Sequence, residues 1–222
     1  YLEGSYEIDT LNLLSVGINL FRGNSNNLSE LEADKINRTD LMPDGTPSQM
    51  YSYKRYSDSE GTFGSTDVNV DYQHSTSKKD ELLTLSYRFS QSPNDSEGNS
   101  RLENLVGDYE VAYRYPNRNT NDASTTEHTG QVDYTTPLFK DQTFEAGVKY
   151  INRQSKSNTV EEVLRNNEWV DISQNNSDFQ HTQHIYSAYL GYLIKLNKFG
   201  FKAGVRGEGT SLSAKFKKVP DE

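Results

Sequence analysis

The fold is decided by two stretches near the end of the chain, residues 186–196 (YSAYLGYLIKL) and 199–208 (FGFKAGVRGE). In each of them apolar and polar side chains alternate with a period of two, which is the pattern of a β-strand with one apolar and one polar face. Only Asn197 and Lys198 separate the two stretches, so they predict an antiparallel hairpin with a tight turn. The charged side chains of this hairpin all fall on one predicted face: Lys195, Lys202, Arg206 and Glu208.

The same alternation recurs upstream in six shorter segments, residues 6–8, 14–20, 68–72, 83–89, 132–134 and 144–150. Tight polar connections are predicted at residues 9–12, 75–81, 137–142 and 196–198, and long loops at 22–63, 93–122 and 155–178. Short and long connections therefore alternate strictly, as they do in an up-and-down meander with turns at one rim and loops at the other. We expect an all-β, antiparallel meander of about eight main strands in four tight-turn hairpins, and residues 1–222 as a single region.

The long connections hold most of the asparagine, serine and acidic residues, together with two tyrosine-rich segments. Residues 50–56 (MYSYKRY) and 109–115 (YEVAYRY) also alternate, and we predict them as hairpin extensions above the rim. Tyrosine rings in polar loops stack on sugars, other ligands and partner proteins, although they also pack loop hairpins against each other. The candidate ligand-contacting aromatic residues are Tyr51, Tyr53, Tyr56, Tyr109, Tyr113 and Tyr115.

The composition of the 222 residues narrows the class of protein. The chain contains no cysteine, which excludes a disulfide scaffold and a thiolate metal site. Its formal net charge of −9 argues against a general nucleic-acid-binding protein. Only 32% of the residues are hydrophobic, but 15 tyrosines and 9 phenylalanines are too many for a solvated tail.

Two environments fit the alternation: a soluble antiparallel sandwich, whose apolar faces pack inside, and a transmembrane β-barrel, whose apolar face meets lipid. The glycine-rich polar faces, the tyrosines near strand ends and the strict alternation of short and long connections favour the barrel. In a barrel only every second residue of a strand faces lipid, so a hydrophobic content of 32% is sufficient.

Residues 179–212 (FQHTQHIYSAYLGYLIKLNKFGFKAGVRGEGTSL) resemble the barrel of TonB-dependent-receptor-like outer-membrane proteins of Bacteroidetes. The resemblance extends over residues 123–213 and includes the preceding hairpin, with its segments 132–138 (VDYTTPL) and 145–150 (EAGVKY). The matching positions of the last hairpin are Ile185, Tyr186, Ala188, Tyr189, Leu190, Lys198, Phe199, Gly204, Val205, Arg206, Glu208 and Thr210.

This resemblance implies a section of a larger barrel in the outer membrane of a Gram-negative bacterium. It further implies a receptor that binds and imports a substrate, with the lipid bilayer and a TonB-type energy-coupling protein as partners. The ligand is left open among small molecules, glycans and peptides. Two other functions are compatible with the pattern of strands: a soluble cell-surface module that binds glycans, and a small structural barrel.

Charged residues on the polar strand faces are the candidates for lining a lumen: Lys149, Lys195, Lys202, Arg206 and Glu208. We expect no catalytic residues, no metal site and no cofactor, and therefore no enzymatic activity. His181 and His184, for example, are not expected to bind one metal ion together, because an offset of three residues on a strand places them on opposite faces.

Overall fold

The computed structural model describes residues 1–107, 115–196 and 198–217. Nine β-strands and one short 3₁₀ turn, at Ser173–Asn175 between β7 and β8, account for nearly all of them. The strands are β1 (Leu2–Asp9), β2 (Asn12–Leu41), β3 (Pro47–Ser75), β4 (Leu82–Gly107), β5 (Asn117–Phe139), β6 (Gln142–Arg165), β7 (Glu168–Asp171), β8 (Ser177–Leu196) and β9 (Phe199–Lys217). The described residues contain no helix that could span a membrane.

The strands form one antiparallel sheet in the order β1-β2-β3-β4-β5-β6-β8-β9, and the short strand β7 pairs with β6 beside this path. The eight strands of the path are joined in pairs by the four predicted tight connections. At the first of these, the Asp9 carboxylate accepts hydrogen bonds from the Leu11 amide (2.8 Å) and from the Asn12 side chain (2.7 Å). Such an Asx turn fixes the chain reversal without glycine. The meander of four hairpins is confirmed.

The structure corrects the expectation of long loops at 22–63, 93–122 and 155–178, because most of these residues continue the strands. The pairing of β2 with β3 runs without interruption from Asn12 and His74 to Lys35 and Tyr51. The turn that joins these two strands spans only residues 42–46. Above the apolar zone both faces of the sheet are polar, so the alternation that marks a strand in the sequence disappears although the backbone ladder persists.

The lower part of the sheet has two faces of opposite character. One face, which we call the apolar face, carries mostly aliphatic and aromatic side chains. They include Val16 and Ile18 in β2, Val68 and Val70 in β3, Leu85, Tyr87 and Phe89 in β4, Val132 and Tyr134 in β5, Val148 and Tyr150 in β6, Tyr186 and Leu190 in β8, and Phe201 and Val205 in β9. The other face, which we call the polar face, carries the alternate residues of the same strands, among them Asp71, Gln131, Lys149 and Glu208.

The apolar face is the more exposed of the two. Tyr186, Leu190 and Val205 are 57%, 51% and 67% exposed, and Val163 is the only buried hydrophobic residue among the residues described. In the lower parts of β5, β6 and β8 the polar side chains are the more covered set, so the polar face lies on the inside of the curvature. A sandwich would bury the apolar face against a second layer. This single sheet turns it outward, as a barrel in lipid does.

The register of the sheet is staggered in the way that a barrel wall requires. A row of register partners begins at Asn12, at the start of β2, and crosses the next five strands to Leu190 in β8. Leu190 lies six residues before β8 ends at Leu196. With a rise of about 3.3 Å per residue and a strand spacing of about 4.8 Å, this stagger tilts the strands by about 40°. Barrel strands are tilted by roughly 35–45°.

Candidate functional site

The polar face brings together the five charged residues that the sequence nominates. Lys149 of β6 lies in one row with Ser187 of β8 and Glu208 of β9. Arg206 pairs in register with Tyr189, one row of this face below. Lys202 and Lys195 follow on the same face toward the tight turn. The alternation of the sequence therefore places all five side chains on one surface, because their parity along the three strands agrees.

Ion pairs cover this surface. The Lys202 ammonium lies 2.6 Å from the Glu145 carboxylate, and Arg206 lies 2.8 Å from Glu208. Two further arginines that the sequence analysis did not nominate form the remaining pairs: Arg88 with Asp67 at 2.9 Å, and Arg153 with Glu127 at 2.7 Å. Both arginines could have been identified from the sequence, because each lies an even number of residues from the polar residues of its strand and therefore on the same face. Partly exposed pairs of this kind contribute little to stability, typically 0–1 kcal/mol each.

One tyrosine spans the polar face across an intervening strand. The Tyr189 hydroxyl of β8 donates a hydrogen bond of 2.6 Å to the Asp133 carboxylate of β5. Gly147 of β6 lies between them in the same row, and a Cβ atom there would collide with the Tyr189 ring. The glycine is therefore needed for close approach of the ring, which is a recurring use of glycine inside strands. Asp133 also accepts a hydrogen bond of 2.7 Å from Gln131.

The nominated tyrosines do not form one cluster. The rings of Tyr51 and Tyr53 stack with their centroids 6.2 Å apart, whereas Tyr56 lies on the opposite face of β3. Tyr115 lies apart from these three tyrosines, beside Arg165, whose guanidinium is 5.6 Å from the Tyr115 ring centroid. Tyr109 and Tyr113 lie outside the described residues.

Tyr56 borders a cavity of about 450 Å³ in the strand extensions. The Arg101 guanidinium and the Lys54 ammonium lie 5.0 and 5.5 Å from its ring centroid. Lys54 also forms an ion pair with Glu30, and this carboxylate raises the pKa of Lys54 by accepting its hydrogen bond. The side chains of Leu28, Glu30, Asp58, Asn99, Arg101 and Trp169 line the cavity together with that of Tyr56.

Trp169 closes the other side of the cavity, a role that the sequence did not reveal. It lies on the short strand β7, which pairs with the upper end of β6. The Arg118 guanidinium lies 4.8 Å from its ring centroid and forms an ion pair of 2.5 Å with Glu162. The cavity thus combines two aromatic rings with two carboxylates and the Arg101 guanidinium, a set that can stack on a flat ligand and hydrogen-bond its polar groups.

A crystal structure of a lipopolysaccharide binding protein is 8% identical to this chain and matches it with a TM-score of 0.15, covering 100% of this chain and 78% of that one. A score this low carries no argument about fold or function. The comparison with curated proteins found no match.

A family model, in contrast, agrees with the architecture. The model of the outer membrane protein beta-barrel family matches residues 74–222, more than half of the chain, and the match covers β4 to β9 completely. The single staggered sheet and its outward apolar face are what such a barrel wall needs. The chain therefore belongs to the outer membrane protein beta-barrel family and is a protein of the outer membrane.

Proposed function

We propose that this chain is part of the wall of an outer-membrane receptor that captures a ligand at its strand extensions and imports it through the barrel. The ion-paired polar face is the observation on which the proposal depends. A barrel that serves only as an anchor needs an apolar outer face, but it does not need a wall of alternating cations and carboxylates inside. A polar, charged lumen provides a route for a hydrophilic solute.

The lumen residues that we assign to this route are Lys149, Lys195, Lys202, Arg206 and Glu208. Of these, Lys202 and Arg206 have carboxylate partners, while Lys149 forms no ion pair with any residue in the described part of the chain. A mixture of paired and unpaired charges allows a passing solute to exchange hydrogen bonds along the wall. The affinity at each step stays weak, because the groups remain hydrated.

The strand extensions support the capture of a ligand. Turns are short at the periplasmic rim of such barrels and long at the extracellular rim, so the extensions of β2 to β6 project outside the cell. The cavity between Tyr56 and Trp169 lies in these extensions, on the side of the sheet that continues the apolar face. A ligand held there has to pass over the ends of the strands to reach the lumen. The aromatic rings and charged groups of the cavity suit a hydrophilic ligand with a flat or apolar side, such as a glycan or a peptide.

Energy coupling by a TonB-type protein enters the proposal through the resemblance of residues 123–213 to TonB-dependent receptors. In this reading the chain performs no chemistry on its ligand. A receptor that only binds and moves its ligand needs a source of energy to release the ligand against a gradient, and the proton-motive force of the inner membrane supplies it in such systems.

An uptake experiment tests the proposal. Cells that produce the complete protein, cells that lack it and producing cells treated with a protonophore are given a panel of labelled oligosaccharides and oligopeptides. We expect accumulation of at least one compound that requires both the protein and the proton-motive force. If loss of the protein leaves the uptake of every compound unchanged, the result contradicts import. Uptake that needs the protein but survives the protonophore would contradict energy coupling.

A further inference from the structure

A basic cluster lies on the outward side of β6, β8 and β9, just beyond the apolar face. Lys156, Gln180 and Lys215 form one row of register partners across the three strands. Thr182 and Ser213 pair in the next row of the same face, and His184 follows in the row after that. A cavity of about 250 Å³ is lined by five of these six residues, all except Lys156.

The two lysines carry uncompensated charge. Both are exposed, and neither forms an ion pair with another residue in the described ranges. The nearest carboxylates by register are those of Asp122 in β5 and Asp178 in β8, both in the next row outward, and the register partner of Asp178 is Lys217. Toward the membrane the cluster contains only hydroxyl, amide and imidazole groups, which are neutral or positive and able to donate hydrogen bonds.

A pair of aromatic residues fixes the height of the cluster relative to the membrane. The rings of Tyr150 and Tyr186 lie 5.0 Å apart on the apolar face, where tyrosines mark the boundary between lipid and water. The Tyr150 hydroxyl lies 2.8 Å from Nδ1 of His184. The cluster begins two residues beyond these rings and ends six residues beyond them, which corresponds to about 5–15 Å above the boundary for strands with this tilt.

A second tyrosine–histidine pair provides an internal comparison. The Tyr87 hydroxyl of β4 lies 2.8 Å from Nδ1 of His128 in β5, on the same face and in the same rows as Tyr150 and His184. Beyond His128 the outward residues of β5 are Thr126, Ser124 and Asp122, without a lysine. The two cations are thus a feature of the β6–β9 surface and do not simply accompany the aromatic boundary.

We propose that the basic cluster binds a phosphate group of an outer-leaflet lipid. The cluster faces the lipid side of the wall at the height where the headgroups and inner sugars of the outer leaflet lie. Lysine ammonium groups and hydroxyl donors are suited to a phosphate, whose oxygens accept several charge-assisted hydrogen bonds. The proposal needs only the placement in the outer membrane and is independent of ligand import.

Lipid binding by the purified full chain, folded in an uncharged detergent, tests this site. The probes are diphosphoryl lipid A, its dephosphorylated form and inorganic phosphate, and native mass spectrometry measures the bound fraction. We expect the double variant Lys156→Gln/Lys215→Gln to bind diphosphoryl lipid A at least about tenfold more weakly than the wild type. The dephosphorylated lipid should bind to both proteins equally and weakly.

Lys79→Gln is the matched control, because it removes an exposed lysine from the tight turn at the opposite rim. Each lysine is also replaced singly, so that a folding defect of the double variant does not decide the result. Equal binding of diphosphoryl lipid A by the wild type and both single variants would overturn the proposal. A wild type that binds both lipids equally well would also overturn it. Displacement of lipid A by inorganic phosphate at equal concentration would overturn it too, because the site would then be one for free anions.

Discussion

Gly147 permits a contact in which the Tyr189 side chain reaches over a whole strand of the polar face. Replacing it with valine places two methyl groups where the Tyr189 ring lies, so the ring must leave and the bond to Asp133 is lost. We expect Gly147→Val to lower the free energy of unfolding by about 1–3 kcal/mol. Urea unfolding from lipid vesicles measures this.

Gly130→Val is the matched control, since it lies in the neighbouring strand on the apolar face and a Cβ atom there meets nothing within 4 Å. We expect this variant to unfold at the urea concentration of the wild type or slightly above it. If both variants lose the same stability, the Tyr189 contact is not the cause.

Glu81 ties the turn between β3 and β4 to β5. Its carboxylate accepts hydrogen bonds from the Thr76 hydroxyl (2.5 Å), the Tyr134 hydroxyl (2.7 Å) and the Thr136 hydroxyl (2.8 Å). The Thr76 hydroxyl first, and then those of Tyr134 and Thr136, lower the pKa of Glu81 to about 2. The stabilisation from this carboxylate is therefore fully present above the ordinary glutamate pKa and is lost as the pH falls toward 2.

Glu81→Gln tests this link. We expect the variant to unfold at a lower temperature than the wild type at pH 7, with the difference closing as the pH falls from about 4.5 to about 2. The shift of the heat-modifiable band on electrophoresis after incubation at each pH measures it. Glu60→Gln, in the exposed extension of β3, should follow the wild type at every pH. A difference between Glu81→Gln and the wild type that stays constant down to pH 2 would contradict the assignment.

At the scale of the elements, the hairpin of β6 and β7 depends on two asparagines. Asn166 and Asn167 have φ values of 51° and 68°, and they join Arg165 to its register partner Glu168. Two successive residues with positive φ form the turn type that suits a two-residue hairpin, and asparagine adopts this conformation more readily than alanine does. The position of Trp169 beside the cavity follows from this turn.

Asn167→Ala should therefore loosen β7, at a cost of about 1 kcal/mol, whereas Asn167→Gly should preserve it. Trp169 is the single tryptophan of the chain, so its fluorescence reports on this hairpin alone. We expect a red-shifted emission and faster quenching by iodide for the alanine variant, and the wild-type spectrum for the glycine variant. Identical spectra for all three proteins would show that the turn does not position Trp169.

The elements also show what the sequence could predict. Alternation was visible wherever one face meets lipid and the other water, so the lower halves of the strands and the turn at Asp9 were predictable. It was invisible in the extensions, for example at residues 24–30 of β2, because both faces there meet water and the side chains need not alternate. The cavity could not be predicted either, because Tyr56 and Trp169 come to line it only through the pairing of the strands from β3 to β7.

At the scale of the whole molecule, the sheet has no interior of its own. Its apolar face requires lipid, and its polar face requires water or other parts of a barrel, because a single layer cannot cover either of them. The stagger of the register adds a quantitative expectation. In oriented membranes, polarised infrared spectroscopy of the amide bands should give a mean strand tilt of about 35–45°. A mean tilt near zero would contradict a barrel wall with this register.

The central claim is that alternate residues of β8 face lipid and lumen. The absence of native cysteine allows a cysteine scan of residues 186–195, with a fluorescent label at each position and the protein folded into vesicles of brominated lipid. We predict strong quenching at the even positions, including Tyr186, Ala188 and Leu190, and weak quenching at the odd positions, including Ser187 and Tyr189. Quenching without this period of two, or stronger quenching at the odd positions, would contradict the account.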